Sequence, residues 1–425
     1  MTYHDSLRYI EEFRMRGINL DLGPISRLLE RLGAPQKDYK SVLIGGTNGK
    51  GSVAAMLASM LHCAGYTVGL YTSPHLHDFR ERIRVGGEMI PPDALVDTVE
   101  RVKACMAEEV TYFELATALA LKYFSMRAVD IAVLEVGMGG RLDATNVVMP
   151  ELSIVTNVSL EHRKYLGRTL EAITREKGGI VKTGGICLTG TGRKKVRDVL
   201  RDICRENRAT FYLAGEDMRM HSDGPHVFSY YGIYGSYHGL GIPLTGGHQR
   251  DNATIAIGAV EILNSRGWVV RDNAVTEGLR CVTWEGRLET IHRCPSIVVD
   301  GAHNPAGATA LRRSLQADFV FRKLILIFAA LDDKDYRRML HTLASCADMV
   351  ILTRPEEGRA LDPDVLFAVA RKYCAHVVVK DDSRTALRHA VAMTGAADMI
   401  CAAGSLYLVA EIKRASSDLF SPQGR

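Results

Sequence analysis

The stretch from Leu43 to Ser52 reads L-I-G-G-T-N-G-K-G-S and predicts the fold of the chain around it. Apolar residues before the first glycine are typical of a buried strand, and the apolar spacing over 52–64 is that of a helix face. Glycines let the backbone turn its N–H groups toward an anion, and the helix N-terminus adds partial positive charge. We therefore predict a phosphate-binding loop, with a plain structural turn as the alternative.

Side chains of this loop suit a nucleoside triphosphate. Lys50 would place a positive charge beside the β- and γ-phosphates, and the hydroxyl of Ser52 or Thr47 would meet a phosphate or a metal ion. The spacing differs from the standard G-x-x-x-x-G-K-[ST] motif, because Gly51 separates Lys50 from Ser52.

The composition describes a globular protein with two domains. The chain has 425 residues, of which 47% are hydrophobic and 24% charged. The net charge of +4 comes from interleaved basic and acidic residues, so no nucleic-acid partner is expected, and no apolar run approaches the ~20 residues of a membrane span. Nine cysteines without a C-x-x-C pair, and a polar start unlike a signal peptide, predict a cytoplasmic protein. We expect a monomer.

Strand and helix patterns alternate along the chain, which predicts an α/β fold with a mostly parallel sheet covered by helices. The alternation restarts near residue 296 as a smaller, Rossmann-like α/β domain. We place the domains at residues 1–285 and 296–425, with a linker near 286–295. The Gly-, Tyr- and Ser-rich segment 212–237 is expected to add antiparallel hairpins to the first sheet.

Polar side chains follow several predicted strands of the first domain. Ser73 follows the strand that ends at Tyr71, Glu135 lies near the end of an otherwise apolar strand, and His162 follows the next strand. Because the carboxyl ends of parallel strands meet at one edge of a sheet, these groups should converge on the phosphate loop.

Each of these residues has a purely structural alternative. Glu135 either ligates Mg²⁺, which prefers oxygen, or forms a buried salt bridge. Ser73 precedes a proline and could supply only a turn hydroxyl. His162 could be an ordinary surface histidine, since imidazole is not the usual ligand of Mg²⁺.

Three more residues have open roles. Lys177 lies late in a predicted helix, where an exposed lysine would only offset the helix dipole. Asp300 directly follows a strand and could accept from a ribose hydroxyl, and His303 could stabilise a transferring phosphoryl group. A capping role for Asp300 and an Asx-turn at Asn304 are the alternatives.

Eight motifs, in chain order, resemble those of one enzyme family. They are G-T-N-G-K-G-S (46–52), T-S-P-H-L-x-x-F-x-E-R-I (72–83), L-E-V-G-x-G-G-R-L-D-A-T-N (134–146), L-G-x-T-L-x-x-I-x-x-E-K-x-G-I (166–180), G-x-H-Q-x-x-N-A (246–253), W-x-G-R (284–287), D-G-A-H-N-P (300–305) and G-S-L-Y-L-V (404–409). Through them nearly the whole chain resembles the folylpolyglutamate synthase family, most closely its bifunctional dihydrofolate synthase/folylpolyglutamate synthase members.

The resemblance implies a Mur-ligase-like ATPase domain that carries the folate site, followed by a Rossmann-like glutamate ligase domain. It implies ATP contacts in both domains, from Asn48, Gly49, Lys50, Gly51, Asn252, Arg287 and Asp300. It also places His303 near the γ-phosphate, so that Lys50, Lys177 and His303 become the candidate catalytic residues.

The resemblance further implies two Mg²⁺ ions, held by Ser73, Glu135 and His162. Lys177 would be carbamylated, which converts a cation into an oxygen ligand. The implied pterin pocket comprises Asp21, Leu22, Gly23, Thr111, Tyr112, Phe113, Glu114, Leu142, Asp143 and Ala144.

The sequence departs from the family pattern at three places. Glu161 stands where an aspartate is expected before the metal histidine, Gly178 and Gly179 replace Ala-Gly, and Ala329 occupies a position that is often glycine. The first change adds one methylene and could shift His162, but none removes a reactive group.

The implied reaction is ATP-dependent addition of L-glutamate to dihydropteroate and to reduced folyl-glutamates, through an acyl phosphate. The loop 20–23 resembles the dihydropteroate-contacting loop of bifunctional members, which favours both activities. The alternatives are chain extension alone, a Mur-type ligase acting on another carboxylate, and a catalytically silent ATP-binding module. A Mur-type ligase would need a UDP-binding domain, against only ~40 residues before the loop. A silent module would be expected to lack Lys50, Glu135 or His303, and all three are present.

Overall fold

The computed structural model describes residues 1–224 and 227–421. They form two compact units. One contains Met1–Pro243 and Gln249–Thr283, and the other contains Leu244–His248 and the chain from Trp284 onward. Within the described ranges, no helix combines the length and the apolar character that crossing a membrane requires.

The first unit is built on an eight-stranded sheet. Its strands are β1 (Lys40–Gly45), β2 (Val68–Tyr71), β3 (Ile83–Val85), β4 (Glu88–Met89), β5 (Ile131–Glu135), β6 (Leu152–Val155), β7 (Ile186–Thr189) and β8 (Thr210–Leu213). The order across the sheet is β4-β3-β2-β5-β1-β6-β7-β8, and only the pairs β2-β3 and β3-β4 are antiparallel. The predicted mostly parallel α/β sheet is therefore confirmed.

The helices before residue 283 are α1 (Tyr3–Glu12), α2 (Gly23–Arg31), α3 (Lys50–Cys63), α4 (Pro92–Cys105), α5 (Tyr112–Met126), α6 (Arg163–Leu166), α7 (Leu170–Gly178), α8 (Lys194–Glu206), α9 (Gly247–Ser265) and α10 (Asp272–Cys281). Helix α3 packs against β1, β2 and β5, and α10 covers α3. This double cover explains why α3 is apolar around most of its circumference, with small and apolar residues buried on several sides.

The segment 212–237 folds differently from the prediction. Strand β8 is a parallel edge strand of the main sheet, while β9 (Arg219–Ser222), β10 (Val227–Tyr231) and β11 (Ser236–Gly241) form a separate antiparallel sheet. The buried carboxylate of Glu261 on α9 holds this small sheet, accepting from Tyr230 Oη at 2.6 Å and from the Ile233 N–H at 2.9 Å. The predicted antiparallel pairing is confirmed, but the prediction that these strands join the main sheet is wrong. They pack instead around Glu261, which lies in a later helix and could not be recognised as their anchor from the local sequence.

The second unit contains a six-stranded sheet. Its strands are β12 (Glu289–Arg293), β13 (Ser296–Asp300), β14 (Leu324–Phe328), β15 (Met349–Leu352), β16 (Val377–Val379) and β17 (Met399–Ala403). Its helices are α11 (Pro305–Asp318), α12 (Tyr336–Ala344), α13 (Pro363–Ala370), α14 (Ser383–Met393) and α15 (Leu406–Phe420). The order is β12-β13-β17-β14-β15-β16, with only the β12-β13 pair antiparallel, so the second α/β domain is also confirmed.

Residues 286–295 are not a free linker. They contain β12, which pairs antiparallel with β13, and the division between the two units falls at Thr283 and Trp284. Strand β12 is partly exposed along its length and carries charged and polar residues, so its sequence lacks the apolar pattern of a buried strand.

The contact between α10 and α3 generates a stability prediction. A Cβ atom on Gly278 would lie 2.5 Å from Met60 Cα and 2.6 Å from Met60 N, and this backbone cannot turn away as a side chain can. We expect Gly278→Ala to lower the free energy of unfolding by about 2 kcal/mol, measured by urea denaturation. Gly192→Ala, with no atom within 4 Å of the new Cβ, is the control, and equal stability of the two variants would contradict the prediction.

Candidate active site

The phosphate loop requires glycine at two positions. Gly46 (φ 136°) and Gly49 (φ 84°) have backbone conformations that L-residues with side chains rarely adopt. A Cβ atom would lie 2.0 Å from Thr156 Oγ1 at Gly46, and 2.4 Å from Asn252 Oδ1 at Gly49. The predicted glycine-rich turn is therefore specified both by its dihedral angles and by side chains packed against its backbone.

The residues after β6 hold this loop in place. The Asn157 carbonyl accepts from the Thr47 N–H at 2.8 Å, and Asn157 Oδ1 accepts from the Asn48 N–H at 3.1 Å. Thr156 Oγ1 and Asn157 Nδ2 donate to the Asn48 carbonyl at 2.7 and 2.9 Å. These four hydrogen bonds hold the loop against the segment that follows β6.

The structure places the three predicted side chains of the loop in different settings. Lys50 begins α3, and its Nζ donates to the Thr47 carbonyl at 3.3 Å. Thr47 Oγ1 accepts from the Ser159 N–H at 3.0 Å, which leaves the Thr47 hydroxyl proton available to donate. Ser52 is buried in the first turn of α3.

Asn252 is brought to the loop by α9. The residue is buried, its Oδ1 lies against Gly49, and its Nδ2 donates to Gln249 Oε1 at 2.9 Å. Sequence reasoning did not single out Gln249, although it lies in the same motif as Asn252 and orients its amide.

Ser73 and Glu135 also meet. The Ser73 N–H donates to Glu135 Oε2 at 3.0 Å, and Glu135 is paired in the sheet register with Ile44, two residues before Gly46. Glu135 is 5% exposed. The carboxylate and the serine hydroxyl are oxygen donors of the kind that Mg²⁺ takes. The described residues contain no group of three His, Cys, Asp or Glu side chains arranged to hold a metal, so the pair alone does not define a complete site.

His162, the third predicted metal ligand, precedes α6 and has a left-handed backbone (φ 43°). Its neighbour Glu161 accepts from Lys177 Nζ at 2.7 Å, and the same Nζ donates to the Gly46 carbonyl at 2.7 Å. Lys177 is 2% exposed, so the interpretation as a surface lysine at a helix end is wrong. The lysine reaches under the phosphate loop, and Glu161 holds it there.

The Lys177–Glu161 ion pair is buried, and burial shifts the pKa values of its two partners in opposite directions. Burial raises the pKa of Glu161, but the ammonium groups of Lys177 and then Lys50 outweigh it and bring that pKa to about 2. Burial lowers the pKa of Lys177, and Glu161 only partly offsets this. Because Nζ is 2.7 Å from both a carboxylate and a carbonyl oxygen, we take the pair as ionised at neutral pH.

The three stretches predicted to form the pterin pocket approach one another. A short 3₁₀ turn, Ala144–Val147, packs against both α2 and α5. Asn19 Nδ2 donates to Glu114 Oε1 at 3.3 Å, which joins the segment before α2 to the start of α5. Phe113 lies against Gly137, where a Cβ atom would be 2.5 Å from its ring.

The polar residues of this region are engaged in local structure. Thr111 and Glu114 form the capping box of α5, and Asp21 Oδ1 accepts from the Gly23 N–H at 3.0 Å. Asp143 is buried and accepts from the Met138 N–H at 2.9 Å and the Thr145 N–H at 3.0 Å. Burial raises the pKa of Asp143, against these bonds. Leu22 and Leu142 are partly exposed, whereas Ala144 is buried.

A cationic and aromatic cluster borders this region. Arg82 Nε donates to His75 Nδ1 at 2.8 Å, and the guanidinium carbon of Arg82 lies 5.4 Å from the Tyr112 ring centroid. Burial, followed by the charges of Arg82 and Arg14, lowers the pKa of His75 to about 3. Sequence reasoning assigned no role to Arg82, because an arginine in a charged stretch gives no sign of burial.

In the second unit, the predicted residues cluster at the end of β13. Asp300 is buried, and its two oxygens accept from the Leu288 and Ala302 N–H groups at 2.8 Å each. Both bonds give Asp300 a local structural role at the end of β13, although the cap of α11 is Asn304 and not Asp300, and each oxygen keeps a second lone pair. Arg287 lies beside Gly301, since a Cβ there would be 2.9 Å from Arg287 Nη1.

His303 is oriented by its own turn. Its Nδ1 lies 2.8 Å from the Gly301 carbonyl, which can only accept, so the ring carries a proton on Nδ1. Asn304 caps α11 by accepting from the Gly307 N–H at 2.8 Å, whereas the predicted structural alternative at this residue was an Asx-turn.

Two family models match the chain. The Mur ligase middle domain matches residues 44–260, and the Mur ligase glutamate ligase domain matches residues 286–406. Among solved structures, Mycobacterium tuberculosis folylpolyglutamate synthase complexed with ADP and AMPPCP is 32% identical, with a TM-score of 0.91 and 99% of each chain covered. Escherichia coli FolC in complex with DHPP and ADP is 30% identical, with the same TM-score and coverage.

Curated relatives agree with these structures. The dihydrofolate synthase/folylpolyglutamate synthase of Bacillus subtilis is 32% identical over 97% of this chain and 99% of its own. A probable bifunctional folylpolyglutamate synthase/dihydropteroate synthase of Halobacterium salinarum is 38% identical, and this chain spans about half of its length. The domain matches define a Mur ligase. The identity across nearly all of both chains shows that this protein belongs to the dihydrofolate synthase/folylpolyglutamate synthase family.

The crowding at Gly49 predicts an effect on nucleotide binding. In Gly49→Ala, the new Cβ would collide with Asn252 Oδ1 and force the loop to move, so we expect the affinity for ATP to fall about 10-fold or more, measured by calorimetry. Gly65→Ala is a matched control, because Gly65 has φ 95° and no atom within 4 Å of a Cβ. An equal loss of affinity in both variants would contradict the prediction.

His75 predicts a pH dependence of stability. Its pKa is about 3 in the folded protein, against an ordinary value of 6.5, so the unfolded chain binds the extra proton between these values. The folded state should therefore lose stability as the pH falls from about 6.5 toward 3. His75→Gln keeps an acceptor for Arg82 and should flatten this limb, measured by urea unfolding at several pH values. An unchanged slope would show that His75 also protonates in the folded state.

Proposed function

We propose that the protein is an ATP-dependent ligase that adds L-glutamate to dihydropteroate, forming dihydrofolate, and to tetrahydrofolate-glutamates, forming folylpolyglutamates. The observation that carries this proposal is the juxtaposition of a preformed phosphate loop with the Ser73–Glu135 pair at the end of the same sheet. The names of full-length relatives support both activities, and the E. coli FolC complex pairs DHPP with ADP.

The chemistry of amide formation explains why such a site suits the reaction. A carboxylate is a poor acyl donor, so the γ-phosphoryl group of ATP is first transferred to it, giving an acyl phosphate and ADP. The amine of L-glutamate then attacks the carbonyl carbon, and phosphate leaves as the amide forms. We propose that the charge of Lys50, the first residue of α3, stabilises the transferring phosphoryl group and that the loop N–H groups hold the other phosphates.

Mg²⁺ fits the oxygen donors of Ser73 and Glu135, and when bound it would neutralise charge on the phosphate oxygens. We propose His162 as a further ligand and two ions in total. Glu161 precedes His162 and is fixed by Lys177, which would limit the movement of the histidine.

The buried position of Lys177 is compatible with its proposed carbamylation. Its Nζ lies 2.7 Å from both the Gly46 carbonyl and Glu161 Oε1, so a carbamate there would replace the ammonium of this ion pair by an anion beside the Glu161 carboxylate, and the two groups would need a bound cation between them. A carbonyl resonance from isotope-labelled bicarbonate, absent in Lys177→Arg, would support the modification.

The remaining assignments are also proposals. Arg287, Asp300 and His303 are proposed to contact ATP, with His303 near the γ-phosphate. Residues of α2, α5 and the Ala144–Val147 turn are proposed to hold the pterin. We also propose that the protein is a monomer and that it lies in the cytoplasm, the second of which is supported by nine cysteines without a disulfide.

ADP release tests the proposed function. Purified protein with Mg²⁺, ATP and L-glutamate should release ADP on addition of dihydropteroate and, separately, of tetrahydrofolate. Lys50→Gln should reduce both rates at least about 100-fold, because it removes a positive charge beside the phosphoryl group, while Lys194→Gln, at an exposed position in the first turn of α8, should not. Turnover with tetrahydrofolate alone would restrict the enzyme to chain extension. Turnover with neither acceptor would refute the proposal.

A further inference from the structure

Arg82 is a buried cation that pairs with no acidic side chain among the described residues. It is 6% exposed, and in the described part of the chain it forms no salt bridge. The nearby acids are engaged elsewhere: Asp78 pairs with Arg80 at 2.7 Å, and Glu81 accepts from the N–H groups of Leu76 and Asp78 at 2.7 and 2.8 Å. Burying a charge without a partner of opposite sign costs free energy. A bound anion would lower this cost for the Arg82 guanidinium.

The side-chain contacts of Arg82 do not supply that charge. Its Nε donates to His75 Nδ1 at 2.8 Å, and this imidazole accepts only in its neutral form. The guanidinium also lies over the Tyr112 ring. The Tyr112 hydroxyl is itself buried and has no hydrogen-bond partner among the described residues. A planar guanidinium pairs best with a carboxylate, through two parallel hydrogen bonds.

The position of Arg82 links two parts of the candidate active site. Its carbonyl accepts from the Thr72 N–H at 3.0 Å, and the next residue, Ser73, contacts Glu135. Its guanidinium lies over the ring of Tyr112, a residue of the implied pterin pocket. Arg82 therefore lies between the residues proposed to hold metal and phosphate and those proposed to hold the pterin.

The groups of a folyl-glutamate acceptor follow one another in the same order as the pterin site, Arg82 and the phosphate site. In a folyl-glutamate, the pterin and aminobenzoyl groups come first, then the α-carboxylate of the terminal glutamate, then the γ-carboxylate that reacts. The α-carboxylate stays negative throughout the reaction and so needs a permanent counter-charge. We propose that Arg82 binds this α-carboxylate, an inference that rests on the proposed function. Dihydropteroate has no such group, since its single carboxylate is the one that reacts. Arg82 is then the residue that favours chain extension over the first addition.

An acceptor analogue tests this directly on the wild-type protein. The analogue is tetrahydropteroyl-γ-aminobutyrate, which keeps the reacting carboxylate but lacks the α-carboxylate. We expect its kcat/KM to be about 10- to 100-fold below that of tetrahydrofolate, the usual effect of losing hydrogen bonds to a charged group. Equal kcat/KM values for the two acceptors would overturn the proposal, whatever any variant does.

Variants of Arg82 complete the test. Arg82→Gln should lower kcat/KM for tetrahydrofolate by the same factor, chiefly through KM, and should no longer distinguish tetrahydrofolate from the analogue. Arg82→Lys, which keeps the charge but not the paired hydrogen bonds, should lie between. Arg84→Gln is the matched control, since Arg84 is on β3 and its Nε donates only to the Glu81 carbonyl in the described structure.

The outcomes separate this inference from the proposed function. A much smaller loss with dihydropteroate than with tetrahydrofolate supports the assignment. Equal losses with both acceptors, or undiminished discrimination against the analogue in Arg82→Gln, would overturn it while leaving the ligase function intact. A wild-type protein that turns over neither acceptor would overturn both.

Discussion

The conformation of the phosphate loop depends on a buried lysine held beneath it. Lys177 donates to the Gly46 carbonyl and to Glu161, both at 2.7 Å, from a position that is 2% exposed. Burying an ammonium group costs several kcal/mol unless it is paired, and here the carboxylate and the carbonyl together satisfy it. The loop, the segment after β6 and α7 are thereby joined in one hydrogen-bonded unit, and the remaining loop contacts to Thr156 and Asn157 build on it.

The phosphate loop and α7 are closely packed, and glycines stand at the positions where a larger side chain would not fit. Beyond the loop, Gly178 and Gly179 follow Lys177. A Cβ atom at these positions would lie 2.5 Å from Ile203 Cδ1 and 2.4 Å from Arg141 Cβ. The departure from the family pattern at Gly178 thus coincides with close packing of α7 against α8. At the other departure, the Glu161 carboxylate accepts directly from Lys177 Nζ at 2.7 Å.

Sheet order explains how distant motifs converge. Strand β1 lies between β5 and β6, and β5 lies between β1 and β2, so the segments after all four strands share one edge. From the sequence we could predict this convergence for Ser73 and Glu135, because it follows from parallel strands alone. The contact of Asn252 with Gly49 could be anticipated only through family resemblance, since α9 lies some 200 residues after the loop. Burial of Arg82 and Lys177 could not be predicted from local pattern, because both lie in stretches rich in charged residues.

The sequence by itself determined the element types, the glycine loop, the two α/β units and the family. These follow from periodicity and from short motifs, which act over a few residues. Tertiary structure alone decided that residues 289–293 form an edge strand and that β9–β11 form their own sheet around Glu261. It also decided which cations are buried and which acid, if any, each one meets. The physical reason is that the environment of a charge is set by residues far away in the chain, so the same lysine or arginine pattern fits a solvated surface as well as an active site.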